Sequence, residues 1–309
     1  MEYKELSRFN KKISRIGFGA WQLGNTKEFS KMTINEGVKL VHEALDAGVT
    51  FFDTAPNYAS GRSEEILGIA LKEHTDKTFI NTKVGHDPDD NFDFSLEGIT
   101  ASIKRSLKAL NRDYIDSVIL HNPGIDILKG EAHYNHLETL KKQGLINGYG
   151  VSIDTLEELQ TVLDVSDVDV IEIMYNIFHQ APATLFDEVK KRDILLIIKV
   201  PLDSGWLTGK YDKTSTFTGI RSRWTEADIK RRSALVDDVK AIVGSDNLVP
   251  YALQFILAQD AVTTVIPGMR NQTQLEGNVA ALSYELSDQQ MNDLKELYST
   301  KIKPKPLPW

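Results

Sequence analysis

Apolar residues gather along this chain in runs of strand length, and each run hands over to a segment of helical period. After an alternating start that reaches Arg15 and predicts an N-terminal β-hairpin, the candidate strands lie at 16–19, 50–53, 78–83, 114–121, 146–152, 169–176, 194–200 and 262–267. Strands that alternate with helices build a parallel sheet, and eight of them match the count of a (β/α)8 TIM barrel with extra helices. The clearest helix spans 96–110, with Leu96, Ile99, Ile103, Leu107 and Leu110 on one face and Lys104, Arg105 and Lys108 on the other. Capping-box patterns at Thr33…Glu36 and Thr155…Glu158 mark helix starts, and Gly48 suits a left-handed helix end. Regularity lapses from 204 to 228, around Gly205, Gly209 and Gly219, and long irregular stretches inside compact domains tend to be functional. Helical patterns resume at 229–243 and 248–259, and the last helix is expected to begin at Ser287. No linker, repeat or low-complexity tract interrupts the pattern, so residues 1–309 read as one domain.

In such a barrel the loops after the C-terminal strand ends form one mouth, where catalytic groups collect. The second to fifth candidate strands close on Asp53, Lys83, His121 and Ser152, each a polar residue ending an apolar run, and the sixth ends on Tyr175-Asn176. One such residue is ordinarily a solvated loop position. Several at the same end of successive strands predict an active site at the C-terminal mouth.

Composition narrows the chemistry. With 41% apolar residues the chain can bury a sizeable core, and with no cysteine it has no disulfide, thiolate metal site or thiol nucleophile. The net charge of −8, mixed along the sequence, argues against a nucleic-acid partner and requires any anionic ligand to be held by local groups. Met1-Glu2-Tyr3-Lys4-Glu5 lacks a signal-peptide core, and no apolar run has the roughly 18 residues a membrane span needs, so the expectation is a cytoplasmic protein without a membrane partner.

Asp53 and Lys83 fall on adjacent strands, with Tyr58 five residues beyond the aspartate. A lysine paired to a carboxylate stays protonated, and a phenol beside an ammonium is expected to have its pKa drawn from about 10 towards neutrality. His121 offers a second donor to a substrate oxygen. There is no serine–histidine–acid signature, and His121 has no spaced partner histidine, so no metal site is expected. Proton donation to a carbonyl is the natural task for this set, and the accompanying hydride calls for a dinucleotide.

The segment Phe52-Asp53-Thr54-Ala55-Pro56-Asn57-Tyr58-Ala59-Ser60-Gly61-Arg62-Ser63-Glu64 closely resembles the first signature of the aldo-keto reductases. The resemblance continues through Gly17-Phe18-Gly19-Ala20-Trp21, Leu120-His121-Asn122-Pro123, Gly150-Val151-Ser152, Tyr175-Asn176, Pro201-Leu202, Thr208-Gly209-Lys210-Tyr211 and Ile266-Pro267-Gly268-Met269-Arg270, and covers nearly the full chain. It implies a barrel holding NADP(H), favoured over NAD(H), across its mouth, with Tyr58 as proton donor, Asp53 and Lys83 tuning it, and His121 orienting a small carbonyl or alcohol substrate. Gly19, Ala20, Trp21, Asp53, Ser152, Glu172, Lys199, Pro201 and Leu202 would frame the nicotinamide, and Ser204, Gly205, Leu207 and Lys210 would cover the pyrophosphate. Gly268, Met269, Arg270, Gln274 and Asn278 would hold the adenosine end. Trp21 would join Tyr58 and His121 in the substrate pocket, or else cap the barrel core. Gly268 followed by a helix would offer amides to an anion, and Arg270 could pair with a 2′-phosphate.

The chain departs from the family pattern at four places. Ile153 stands where asparagine is frequent. Glu172 replaces a common glutamine, and its charge hints at a preference for the oxidised cofactor. Lys199 replaces an aromatic residue that often stacks on the nicotinamide, and Ala59 replaces a frequent glycine, which requires only a negative φ there. The segments 124–132 and 217–224 are expected to shape the substrate pocket. Trp309, at the end of a proline-rich tail, could line that pocket, dock on the body or touch a second subunit. Two other readings stay open: an NADPH-binding regulatory or redox-sensing subunit with little turnover, and an unrelated barrel enzyme using Lys83 as a Schiff-base nucleophile. Substrate, direction and oligomeric state are not legible.

Overall fold

The computed structural model describes residues 1–25 and 31–308, so the expectation for Trp309 lies outside the described residues. Strands β1 (Tyr3–Leu6) and β2 (Phe9–Ser14) pair antiparallel as the expected hairpin. The strands β3 (Phe18–Gly19), β4 (Phe51–Asp53), β5 (Phe79–Val84), β6 (Ser117–His121), β7 (Tyr149–Ile153), β8 (Val170–Met174), β9 (Leu195–Lys199) and β10 (Thr264–Val265) follow in one sheet, in sequence order. Every adjacent pair is parallel. Parallel bridges Ile16↔Val265 and Gly19↔Gly268 join its first strand to its last, closing the (β/α)8 barrel. The strands match the expected runs, most with trimmed ends because the flanking residues turn into the loops, while β5 and β7 each continue one residue past the expected Lys83 and Ser152, to Val84 and Ile153.

Between strands run α1 (Ile34–Asp46), α2 (Arg62–Ala70), α3 (Leu96–Ala109), α4 (Ile125–Lys129), α5 (Glu131–Lys142), α6 (Leu156–Val165), α7 (Phe186–Lys191), α8 (Glu226–Val243), α9 (Val249–Leu257), α10 (Gln272–Ala280) and α11 (Asp288–Leu297). The capping boxes at Thr33/Glu36 and Thr155/Glu158 form, Ser287 caps α11 with Gln290, and Gly48 takes φ +87°. Helix α3 buries Ile99 and Ile103 against the sheet, as its periodicity requires. Helix α8 starts three residues before the expected position because Thr225 caps it, accepting the Asp228 N–H.

The hairpin closes the N-terminal end of the barrel. Phe9 and Ile13 of β2 pack on Phe51, Phe79, Val170 and Leu195, which open their strands, with Phe9 edge-on to Phe79 at 5.0 Å. Burial of each such side chain contributes roughly 1.5–3 kcal/mol. Lys11 locks the hairpin in place by donating to Asp116 Oδ1 at 2.5 Å and to the Thr75 and Thr78 carbonyls at 2.8 Å. With that end plugged, the functional opening is the other one. Where β7 meets β8, a Cβ on Gly150 would lie 1.7 Å from the Val170 carbonyl oxygen, so only glycine allows the two strands to approach.

After β9 the chain makes only short turns, Asp203–Thr208 and Gly219–Arg223, before α8. The 217–224 stretch was expected to shape the substrate pocket. Instead its aromatic rings turn onto Trp206 and Tyr211: Phe217 lies 4.9 Å from both Tyr211 and Trp224, and Trp206, Leu207 and Trp224 are buried. Clustering these rings removes more apolar surface from water than lining an open mouth would. Among the described residues no helix is long and apolar enough to cross a membrane.

Candidate functional site

At the open end, successive strands deliver Asp53 (β4), Lys83 (β5), His121 (β6), Ser152 (β7), Glu172 (β8) and Lys199 (β9). Register places Ser152 beside both His121 and Glu172. The Lys83 ammonium, fully buried, donates to both Asp53 oxygens at 2.6 and 2.7 Å and to the Thr54 carbonyl at 3.1 Å, and lies 3.4 Å from Glu172 Oε2. Asn81 donates to Asp53 Oδ1 at 2.8 Å and accepts from Ser117 at 2.6 Å. An unpaired buried charge would cost several kcal/mol, and this lattice of partners is what lets an ammonium sit at the barrel axis.

Tyr58 reaches the same point from the loop after β4. Its ring centroid lies 5.2 Å from Lys83 Nζ and 6.0 Å from the His121 ring, edge to face. The loop bends sharply. Ala59 and Ser60 adopt φ +54° and +55°, followed by Gly61 at +87°. The expectation of a negative φ at Ala59 is therefore wrong. A short left-handed turn is needed to bring the Tyr58 ring over Lys83, and the alanine carries the strain that glycine would avoid.

The electrostatics also correct the expectation for the phenol. Burial raises the Tyr58 pKa above its ordinary value; the Lys83 ammonium opposes this, but Asp53 and Glu172 add to it. Burial first and then the Glu172 charge push the Asp53 pKa up to about 8 against the pull of Lys83 and Asn81, whereas Glu172 is held ionised; the phenol, buried beside this pair, keeps its proton. Burial likewise works against the Lys83 ammonium, yet Asp53 and Glu172 hold its pKa above the usual range. For His121, burial first and then the Lys83, His86 and Lys199 charges press the imidazole well below its ordinary pKa, leaving it neutral. A neutral imidazole beside a protonated phenol is a pair of hydrogen-bond donors suited to one oxygen atom.

On the far side of the mouth, Ser152 donates to Glu172 Oε1 at 2.8 Å. Lys199 donates to Ser152 Oγ and Asn122 Oδ1, both at 2.8 Å, and pairs with Asp154 at 2.9 Å. Burial opposes ionisation of Glu172, but Lys83 and Lys199 pull its pKa below the usual carboxylate value. Its charge is thus matched by two ammonium groups, which removes the simple argument that it favours an oxidised, cationic cofactor. Past Lys199 the backbone takes positive φ at Val200, Asp203, Ser204 and Gly205, and Asp203 forms a buried ion pair with Arg232 of α8. Pro201 is buried and Leu202 partly so; Leu207 is fully buried with its N–H donating to the Leu202 carbonyl at 3.1 Å, and Lys210 packs over the Tyr211 ring at 4.7 Å.

Gly19 pairs with Gly268 at the seam of the barrel, flanked by buried Ala20 and half-buried Trp21. Helix α10 begins at Gln272, four residues beyond Gly268, and two backbone amides around its start are occupied. Asn271 accepts from the Gln274 N–H at 2.9 Å, and the Gln274 side chain accepts from the Arg270 N–H at 2.9 Å. The Arg270 and Gln274 amides are thus taken by the cap, and Met269 is buried in the core. What does suit a nucleotide is nearby. Asn278 is buried with its Nδ2 unpartnered among the described residues, and a cavity of about 270 Å³ is lined by Lys31, Lys39, Arg270, Asn271 and Gln272 together with Glu36 and Glu43. Lys31, Lys39, Asn122, Asp154 and His86 are site neighbours that sequence reasoning missed. A His-Asp-Pro-Asp-Asp-Asn turn three residues after Lys83 was the available signal for His86.

Two outcomes follow from this geometry. Ala59→Gly relieves the left-handed alanine and stabilises the fold by about 0.5–1 kcal/mol after the gain in unfolded-state entropy is subtracted, read as a higher denaturation midpoint. His121 and half-buried His179 both have pKa values depressed in the fold, burial being the main cause. They therefore bind protons more readily when unfolded. Their contribution to stability is complete above pH about 6.5 and is lost as pH falls below it, by about 1 kcal/mol per pH unit for each. Melting temperatures between pH 8 and 5 should show this decline, with a shallower slope in His121→Asn; an unchanged slope would mean that His121 is not held neutral.

The chain matches the family model described as "Aldo/keto reductase family" over residues 15–299. It is 28% identical to the aldo-keto reductase YhdN of Bacillus subtilis (strain 168), over 98% of this chain and 95% of that protein. It is 26% identical to the NADH-specific methylglyoxal reductase of Escherichia coli (strain K12), over 92% and 94%. The holo form of an aldo-keto reductase from Bacillus halodurans superposes with a TM-score of 0.81 at 24% identity, over the whole of both chains, and supports the barrel fold. With the tetrad assembled at the mouth and the match spanning nearly the full sequence, the chain belongs to the aldo/keto reductase family, oxidoreductases that act on carbonyls and alcohols with a nicotinamide cofactor.

Proposed function

We propose that this protein, acting as a single barrel domain in the cytoplasm, interconverts a small aldehyde, ketone or sugar carbonyl and its alcohol, with NADP(H) preferred over NAD(H). The observation that carries the reading is the fully buried Lys83 ammonium, 2.6 Å from Asp53 and directly under the Tyr58 ring. When bound, the cofactor supplies or accepts hydride at the carbonyl carbon. The protein's part is the oxygen. Tyr58 donates its phenolic proton to that oxygen as charge develops there, and His121, neutral, donates a second hydrogen bond that orients it. Lys83 stabilises the phenolate left on Tyr58, and Asp53 and Glu172 keep Lys83 protonated in place. In the alcohol-oxidising direction the same proton returns to Tyr58.

Ser152, with Asn122, Glu172 and Lys199 around it, is suited to hold a carboxamide. Asn278 fits the adenosine end through its unpartnered amide nitrogen. The case for NADP(H) rests on Arg270 and Lys31 at one cavity, two cations for a 2′-phosphate beside Glu36 and the Lys39–Glu43 pair. The complete tetrad favours turnover over a purely regulatory subunit, and the Tyr58 position beside Lys83 favours proton transfer over Schiff-base chemistry.

Titration of intrinsic fluorescence with NADPH and NADH, followed by turnover of p-nitrobenzaldehyde, tests the reading. Tyr58→Phe should bind NADPH as wild type does while turnover falls by about 10²–10⁴-fold, the range lost with a general acid. If neither cofactor binds, the reading is wrong. Arg270→Ala should weaken NADPH binding by about tenfold, the size of one charge-assisted contact, and leave NADH almost unchanged. Equal losses for both cofactors would remove the case for NADP(H).

A further inference from the structure

His121 carries the orienting role in the mechanism above, yet its Nδ1 is buried and has no hydrogen-bond partner among the described residues. In most functional histidines a hydrogen bond at the second ring nitrogen sets the plane and tautomer of the imidazole. Here a ring contact takes that place. The His86 imidazole lies flat against His121, with centroids 4.4 Å apart and planes 28° from parallel. The opposite constraint comes from Tyr58, whose ring meets His121 edge to face.

His86 has contacts of its own within its turn. Its Nδ1 donates to Asp90 Oδ1 at 3.2 Å, since a carboxylate only accepts, and Phe92 and Phe94 present their edges and faces to it at 4.5 and 6.2 Å. These residues form a small hairpin between β5 and α3, closed by the His86↔Phe92 bridge. Asp90 sits at its tip with φ +66°, a conformation aspartate tolerates well. The same Asp90 Oδ1 accepts from Asn57 Nδ2 at 2.8 Å, and Asn57 directly precedes Tyr58. One carboxylate thus links the loop that carries the phenol to the ring that supports the imidazole.

We propose that His86 is a positioning residue for His121: its ring, held by Asp90 and Phe92, fixes the plane of the His121 imidazole so that the substrate oxygen meets both donors at once. The inference rests on the orienting role assigned to His121 under the proposed function. A ring left free to rotate about its side-chain bonds presents its N–H to the oxygen only part of the time, and misalignment of about 1 Å can cost up to 10²-fold in rate. Cofactor binding makes no use of His86 and should not respond.

The test compares the full-length wild type, His121→Ala, His86→Leu and His86→Phe. Leucine keeps volume without a flat ring; phenylalanine keeps the flat ring without the nitrogens. Three quantities are read: the NADPH dissociation constant, the melting temperature, and kcat and KM for p-nitrobenzaldehyde. His86→Leu should lower kcat by about tenfold with the NADPH dissociation constant within about twofold of wild type, and His86→Phe should recover most of the loss. A residue that only fills space would instead lower melting temperature and cofactor affinity together with kcat, and that result overturns the proposal. So does a kcat in His86→Leu within about twofold of wild type when His121→Ala has lost turnover. If His121→Ala itself turns over like wild type, the role of His121 is wrong, and the support assigned to His86 falls with it.

Discussion

A single ammonium group at the end of the barrel axis, that of Lys83, organises the opening around it. It is removed from water and surrounded by Asp53 and the Thr54 carbonyl at the end of β4 and by Glu172 from β8. In a low-dielectric interior such a charge is tolerable only when every nearby acceptor is in place, so the positions of β4, β5 and β8 at the mouth are tied to one another electrostatically. The arrangement also decides what Tyr58 does. With two carboxyl groups around the lysine, the phenol stays protonated at rest, and the ammonium's stabilising influence is felt most when negative charge appears on the phenolate oxygen. That is a better device for donating a proton than a phenol already near neutrality would be.

The rest of the mouth is built on backbone that an ordinary loop would avoid. Ala59, Ser60 and Gly61 turn left-handed beside Tyr58, and Val200, Asp203, Ser204 and Gly205 do so after β9. For the residues other than glycine such conformations cost of order 1 kcal/mol or more apiece and persist only where the surroundings over-determine them. The surroundings here are identifiable: a plugged and fully packed barrel floor under Phe9 and Ile13, and the buried Asp203–Arg232 pair with the aromatic cluster around Trp206. Stability stored at the closed end and in the periphery thus supports strain at the open end.

Much of this was legible along the chain. The eight strands, the hairpin and the helix caps emerge from periodicity and local hydrogen-bonding chemistry, both properties of neighbouring residues. Asp53, Lys83, His121 and Ser152 stood out because each is polar at the end of an apolar run, and in a parallel barrel all such ends face one way. His86 and Asp90 did not stand out. They lie in a polar turn whose residues look like any solvated loop, and only the stacking of one ring on another distinguishes them.

What the sequence determined by itself was therefore the fold, the family and the identity of the polar groups at the mouth, since these follow from pattern and from motifs of fixed spacing. Protonation states, the left-handed turn at Ala59 and the inward packing of Phe217 and Trp224 were decided only in the tertiary structure. Each depends on distances between residues far apart in the chain. A pKa is a sum over neighbours, and a loop's conformation is chosen by whatever it must reach; neither quantity is carried by the local sequence.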